Sequence, residues 1–308
     1  MQEMKHIYGP LPSRRLGRSL GVSPIPRKRC NYSCIYCQLG RTYQFSNTRS
    51  MFYPLEEIIS ELDLVLSQKV DFDVVTVVGE GEPTLYLGLG ELIRAVKTRS
   101  DKPVALITNG ALLYDPRVRE EAGLADIVLP SLDAFEEKSF RRINRPHREL
   151  TFAKVYQGLQ DFSAAYRGQL WLEIMLLKDF NDSEMALEQF SLLLQNIRYD
   201  CLYINTPVRP PADMKVQPVT AEVMRRAEIL LGGISIDLLQ SKGYYSQIGD
   251  DYQAVMSIIR RHPMNQFEIE SFLKSRSNQH FAAFFTRLQQ DPAVESISYK
   301  GYLTYRLK

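Results

Sequence analysis

Three of the four cysteines fall within eight positions, Cys30-Asn-Tyr-Ser-Cys34-Ile-Tyr-Cys37, and Cys201 stands alone. Three thiols so crowded cannot all pair as disulfides. Zinc usually takes a fourth protein ligand from a second C-x2-C pair or an H-x3–5-H, and neither is present. The one nearby histidine, His6, lies 24 residues upstream of Cys30. Three soft thiolates suit a cubane [4Fe–4S] cluster with one iron open to an outside ligand, and an incomplete ligand set marks a reactive site. Cys201, in the strand-like run Tyr199-Asp-Cys-Leu-Tyr-Ile204, reads as a small buried hydrophobe.

The segments that must position these thiols alternate between two periods. Residues 54–68 carry Leu55, Ile58, Ile59, Leu62 and Leu66 at helical spacing. The apolar run 73–78 predicts a buried strand ending in Gly79-Glu-Gly-Glu-Pro-Thr-Leu85. Helices near 90–98, 116–123, 151–167 and 184–196 then alternate with strands at 104–108, 127–129, 170–176 and 201–205. Such alternation predicts a parallel α/β sheet or barrel, whose chemistry gathers at the C-terminal ends of the strands. Polar residues punctuate those ends: Glu80 and Glu82, Asn109, Ser131 and Asp133, and Asn205.

Past the Pro-rich stretch 207–218 come a helix at 221–231 and a strand-like run at 234–239, closing a first domain at 1–242. Residues 243–250 read as a linker. Residues 251–308 hold three helical stretches and two strand-like runs flanking Lys300-Gly301, the pattern of a winged helix-turn-helix. This tail carries eight Lys/Arg against five Asp/Glu, too mild a balance to choose between nucleic-acid contact and protein docking.

The chain has 308 residues, 44% hydrophobic and 24% charged, which excludes global disorder and allows one large α/β domain with an appendage. Its first residues hold no apolar signal core and its apolar runs are strand-length, so the reading is cytoplasmic, with no membrane partner. The net charge of +2 conceals an asymmetry: residues 1–50 carry nine Lys/Arg against Glu3 alone. That block is broken by Pro, Gly and apolar residues, which predicts folded structure and an anionic partner.

The C-x3-C-x2-C run with Tyr36 before Cys37 resembles the radical S-adenosylmethionine superfamily. Gly9-Pro-Leu-Pro-Ser-Arg-Arg-Leu-Gly17, Cys37-Gln-Leu-Gly-Arg-Thr42 and Asn205-Thr-Pro-Val-Arg-Pro-Pro211 extend the likeness. They resemble a prokaryotic group similar to the tRNA wyosine-synthesis enzymes, over roughly residues 6–215. The cysteines of those enzymes' second cluster are missing here, and the C-terminal tail is extra.

The resemblance implies a partial (β/α)6 TIM-like barrel and places Cys30, Cys34 and Cys37 as cluster ligands. It implies S-adenosylmethionine as cofactor, with Tyr36 beside it and Gly81, Glu82 and Pro83 receiving its amino group. Asn109 and Ser131 would meet its carboxylate or ribose. An external one-electron donor is implied for reductive cleavage to a 5′-deoxyadenosyl radical. Toward the substrate the candidates are Asp133 at a strand end and Glu173, a carboxylate within a strand of apolar neighbours that needs a partner. Arg14, Arg15, Arg27, the basic loop Arg141–Arg148 with Arg145, and Arg209 ring the mouth with guanidinium groups. The leading reading is modification of an anionic substrate, tRNA or a nucleotide among the options. The alternatives are a small metabolite or peptide with the winged helix docking a partner, and an iron–sulfur transcription regulator.

Overall fold

The computed structural model describes residues 4–236, 244–246, 248–278, 280–299 and 301–308. Part of the 234–239 run and of the 243–250 linker therefore lies outside the described residues. The basic N-terminal block folds as a hairpin, β1 (Ile7–Ser13) antiparallel to β2 (Gly17–Val22). Two short parallel strands follow around the cysteine segment, β3 (Arg29–Cys30) and β4 (Gln44–Phe45). The alternating region is α1 (Leu55–Ser67), β5 (Val74–Val77), α2 (Leu89–Lys97), β6 (Val104–Thr108), α3 (Pro116–Ala122) and β7 (Ile127–Pro130). It continues with α4 (Glu137–Ile143), α5 (Phe152–Ala165), β8 (Gln169–Met175), α6 (Glu184–Leu194), β9 (Cys201–Asn205), α7 (Ala221–Leu231) and β10 (Ile234–Ser235).

The strands join in the order β1-β2-β5-β6-β7-β8-β9-β10, parallel from β2 onward. The order has two edges, β1 and β10, so this mixed α/β sheet is open, as in a partial barrel. Its first parallel strand, β2, sits inside the basic block, where Gly and Arg mask the strand pattern.

The main core lies between the sheet and its helices. In α1 the buried residues are Ile58, Ile59, Leu62 and Val65, so Val65 takes the innermost place expected of Leu66. Burying each such side chain is worth about 1.5–3 kcal/mol, more than the helix gains from propensity alone. Strand β8 alternates strictly: Leu170, Leu172 and Ile174 are buried, while Trp171, Glu173 and Met175 are half-buried on the other face. Trp171 there joins a second cluster with Leu16, Val74, Ala105 and Leu129, on the side away from the helices. That alternation gives Glu173 a place on the inner face rather than among the apolar residues beside it in sequence.

The last stretch forms α8 (Asp251–Arg261), β11 (Met264–Asn265), α9 (Gln266–Ser275), α10 (Phe281–Gln290), β12 (Val294–Tyr299) and β13 (Tyr302–Leu307). Its three strands pair antiparallel in the order β11-β13-β12. Two-residue β11 is an addition to the two strands expected. The apolar cluster beneath them includes Leu11 and, at its margin, Tyr8, both from β1. Among the described residues no helix is long and apolar enough to cross a membrane.

Candidate cluster and cofactor site

The cysteine segment is braced on two sides by backbone hydrogen bonds. On one side Lys28 N donates to Glu80 O (2.5 Å) and Glu82 N donates to Arg29 O (2.9 Å). Gly81 permits this contact: a Cβ there would come within 2.6 Å of the Arg29 carbonyl carbon. On the other side Ser33 N donates to Asn144 O (3.0 Å), Ile35 N to Ile143 O (3.0 Å) and His147 N to Asn31 O (2.8 Å). The expected basic loop 141–148 is thus partly helix, since α4 carries Arg141 and Arg142 and runs to Ile143. Its remainder clasps the cysteine segment. Arg145, at φ 45°, pairs with Asp213 at 3.2 Å.

Neutral donors approach two of the sulfurs. Asn109 Nδ2 lies 3.6 Å from Cys30 Sγ and donates to Asn31 Oδ1 at 2.8 Å. Asn144 Nδ2 lies 3.6 Å from Cys34 Sγ and donates to Asp133 Oδ2 at 3.0 Å. Burial pushes all three thiols up, with neighbouring acids and thiols adding to the effect at Cys30 and Cys34. Protein alone therefore does not hold them as thiolates; iron would, by replacing each proton. Among the described residues no three His, Cys, Asp or Glu side chains converge as a single metal ion requires. Three soft thiols lacking a fourth protein ligand suit a cluster with one open iron better than four-coordinate zinc.

The strand-end residues are organised by one another. Buried Glu82 accepts from Thr84 N (3.0 Å), Thr84 Oγ1 (2.6 Å), Thr108 Oγ1 (2.6 Å) and Asn109 N (2.7 Å). Burial still raises its pKa despite those donors. Pro83 opens the short 3-10 turn that follows. Asn109 Oδ1 accepts from Ala111 N at 2.9 Å. Ser131 extends the pairing of β7 toward Glu173 and does not cap α4, whose cap is Glu136. Buried Asp133 accepts from the Tyr36 hydroxyl, from Asn144 and from Met175 N (3.0 Å). Burial raises its pKa too, and these donors oppose the rise. Tyr36 is thereby tethered between the cysteine segment and the end of β7.

The arginines are dispersed among several partners. Arg15 pairs with Glu173, and burial pushes its pKa down to about 10. Arg27 donates to the carbonyls of Leu307 (2.7 Å) and Lys308 (2.6 Å), a role in docking the last strand that its place in the basic block did not suggest. Arg209 is 9% exposed and bonded to Glu268 at 2.9 Å, to the Tyr244 hydroxyl at 3.1 Å and to His262 Nε2 at 2.8 Å. Burial would raise Glu268, but the hydrogen bonds and charge of Arg209 hold it at about 2. Burial and Arg209 together drive His262 down to about 3, so its ring is neutral. Cys201 is half-buried at the start of β9, opposite Trp171, and not the buried hydrophobe expected.

Sequence reasoning passed over Asn144, His262 and Arg306 here, and it placed Glu80 at a strand end without its partners. Asn144 supplies an amide beside Cys34. Glu80, 3% exposed, meets Arg260 at 3.0 Å, Arg261 at 3.6 Å and Arg27 at 3.9 Å. His262 joins the Arg209 network. Arg306 Nη1 reaches Gln38 O (3.4 Å) and Pro210 O (3.2 Å), one residue past the last cysteine of the trio. The dense triplet Arg260-Arg261-His262 was the available signal. A cavity of about 310 Å3 opens beside this region, lined by Gln38, Arg14, Arg15, Arg209, Arg261 and His262 among others.

Comparison with known proteins gives the family. A model of the Radical SAM superfamily matches residues 25–190. A UPF0026 protein of Methanocaldococcus jannaschii is 32% identical over 98% of this chain and 96% of its own length. The GTPase Obg of Brachyspira hyodysenteriae is 40% identical over 73% of this chain, a match spanning only 33% of that longer protein. A solved structure of TYW1 with a lysine–pyruvate adduct bound shares the fold over 70% of this chain and 72% of its own, with TM-score 0.52 and 18% identity. The family model spans more than half of the chain, and this chain belongs to the radical SAM superfamily, enzymes that work with a [4Fe–4S] cluster and S-adenosylmethionine.

Proposed function

We propose that this enzyme holds its cluster through Cys30, Cys34 and Cys37 and removes a hydrogen atom from an anionic substrate. The bracing of that trio by Gly79–Pro83 on one side and Ile143–His147 on the other is the observation that carries the reading. When bound, cluster and S-adenosylmethionine supply reductive carbon–sulfur cleavage: one electron from an external donor gives methionine and a 5′-deoxyadenosyl radical that takes hydrogen from substrate. The chain's own residues fix geometry and exclude water. Glu82 draws Thr84, Thr108 and Asn109 into one turn, and Gly81 brings that turn against the cysteine segment. Backbone carbonyls of this turn, with Pro83 setting its exit, are the acceptors for the cofactor's amino group. Tyr36, Asn109 and Ser131 complete the cofactor's surroundings from neighbouring strand ends.

The C-terminal residues 251–308 have the helix and strand order of a winged helix, a unit separate from the barrel at 1–242. Helix α10, in the place of a recognition helix, has one charged residue, Arg287, and this stacks 3.7 Å over the Tyr252 ring. That supports a packing role over nucleic-acid reading. Anaerobic reconstitution followed by reduction with S-adenosylmethionine present tests the assignment. We expect 5′-deoxyadenosine from the wild type and none after Cys30, Cys34 and Cys37 are changed to alanine. An iron–sulfur regulator would bind a cluster yet make no 5′-deoxyadenosine.

A further inference from the structure

The cavity beside the cysteine segment has walls from two parts of the chain. Ser19, Thr76 and Asn205 line it from β2, β5 and β9, whereas Arg261 and His262 come from the end of α8 and the residue beyond. With Arg14, Arg15 and Arg209, they place four guanidinium groups and an imidazole on the lining, and no Asp or Glu lines it among the described residues. The acids lie outside the lining: Glu173 on Arg15, Glu268 on Arg209 and Glu80 on Arg261. They fix the guanidinium groups, and Arg209 is held further by Pro263 O, Tyr244 and His262. Arg261 Nε faces Glu80 at 3.6 Å and its Nη2 donates to Lys5 O at 2.7 Å, which fixes the guanidinium in place. Since Arg209 can only donate, His262 Nε2 accepts from it, and the neutral ring carries its proton on Nδ1. The lining is therefore rich in donors.

We infer that this cavity is the substrate pocket, that the C-terminal unit builds one of its walls, and that its ligand is a small metabolite bearing a carboxylate or phosphate. The inference rests on the enzyme reading proposed above. A volume of about 310 Å3 is at the small end for metabolite sites. Three of the eight Lys and Arg residues of the C-terminal unit meet the barrel. Arg260 and Arg261 meet Glu80, and Arg306 meets the carbonyls of Gln38 and Pro210. These three arginines are engaged by the barrel and are not presented to a nucleic acid.

Isothermal titration of the anaerobically reconstituted holoprotein with inorganic phosphate, and separately with succinate, tests this. Saturable one-to-one binding of at least one anion is expected, weakened about tenfold or more in Arg261→Gln and in Arg14→Gln, since each removes a charge-assisted donor. Arg261→Lys should recover part of the loss. Arg261 also braces Glu80, so Arg14→Gln, in the turn between β1 and β2, keeps the test valid if Arg261→Gln misfolds. The phosphate and succinate arms tell which head group the pocket takes. Absence of binding by both anions overturns the inference, as does affinity unchanged in both variants. So does tight binding of labelled single-stranded RNA that Arg287→Ala weakens and that neither anion displaces. 5′-Deoxyadenosine formation by the same holoprotein is measured alongside. Anion binding without it fells the enzyme reading and leaves the pocket; the converse fells the pocket alone.

Discussion

Replacing Gly81 by alanine perturbs the cysteine segment without touching a sulfur. A Cβ at this position falls 2.6 Å from the Arg29 carbonyl carbon and 3.0 Å from its nitrogen, where ordinary contact begins at 3.4 Å. Backbone meets side chain here, so no rotamer relieves the clash. Arg29, the residue before Cys30, must retreat by at least the difference between 2.6 and 3.4 Å, about 0.8 Å. Metal–thiolate distances tolerate about ±0.2 Å, so the displacement is several times what the ligand set can absorb. The Glu82 N to Arg29 O hydrogen bond is stretched as well, a loss of about 0.5–1.5 kcal/mol. Gly81→Ala should therefore reconstitute with well under half the wild-type iron and sulfide, while Gly249→Ala, with nothing within 4 Å, should match the wild type. Iron and sulfide analysis with the visible absorbance of the cluster reads the result, and circular dichroism confirms that each variant is folded. A folded Gly81→Ala protein with full cluster content would refute the argument that this glycine seats the cysteine segment.

Other outcomes follow from the same geometry. Cys201→Ser should keep full cluster content, because the residue lies on β9 away from the trio, whereas Cys37→Ala should lose it; iron analysis separates the two. Asn144→Ala removes an amide 3.6 Å from Cys34 Sγ and should lower the cluster's midpoint potential, since N–H donors favour the more negative reduced state; redox titration followed by electron paramagnetic resonance checks this. His262, ordinarily near 6.5 and held at about 3, binds no proton in the folded protein over an interval where the unfolded chain binds one. Stability should accordingly fall as pH drops from about 6.5 toward 3, by at most about 1.4 kcal/mol per pH unit from this group. Thermal melts at pH 7.5 and 5.0 should show a smaller difference in His262→Gln than in the wild type.

The helices and inner strands were legible because buried parallel strands and one-sided helices leave unmixed periods in the sequence, as at Val74–Val77 and along α1. The hairpin β1–β2 was not, since Pro10, Pro12, Gly17 and Arg18 interrupt its pattern and its pairing is read only in three dimensions. The thiol trio was legible as chemistry because its ligands are local in sequence. The partners of Arg15, Arg27 and Arg209 were hidden for the opposite reason: a guanidinium carries no sign of whether a carboxylate or carbonyl from 59 or 280 residues away will reach it. Glu173 was flagged as needing a partner, and strand alternation aimed it at Arg15.

The carboxylate shared by Arg27, Arg260 and Arg261 has a bearing on how the molecule matures. Arg260 lies 180 residues after Glu80 in the chain. At about 5–20 residues per second of synthesis, the ribosome needs roughly 10–35 s to deliver Arg260 once Glu80 has been made. During that interval the cysteine loop is already translated while the turn it leans on still lacks two of its cationic neighbours. Iron insertion timed after release would meet a finished cradle; insertion during translation would meet a half-built one.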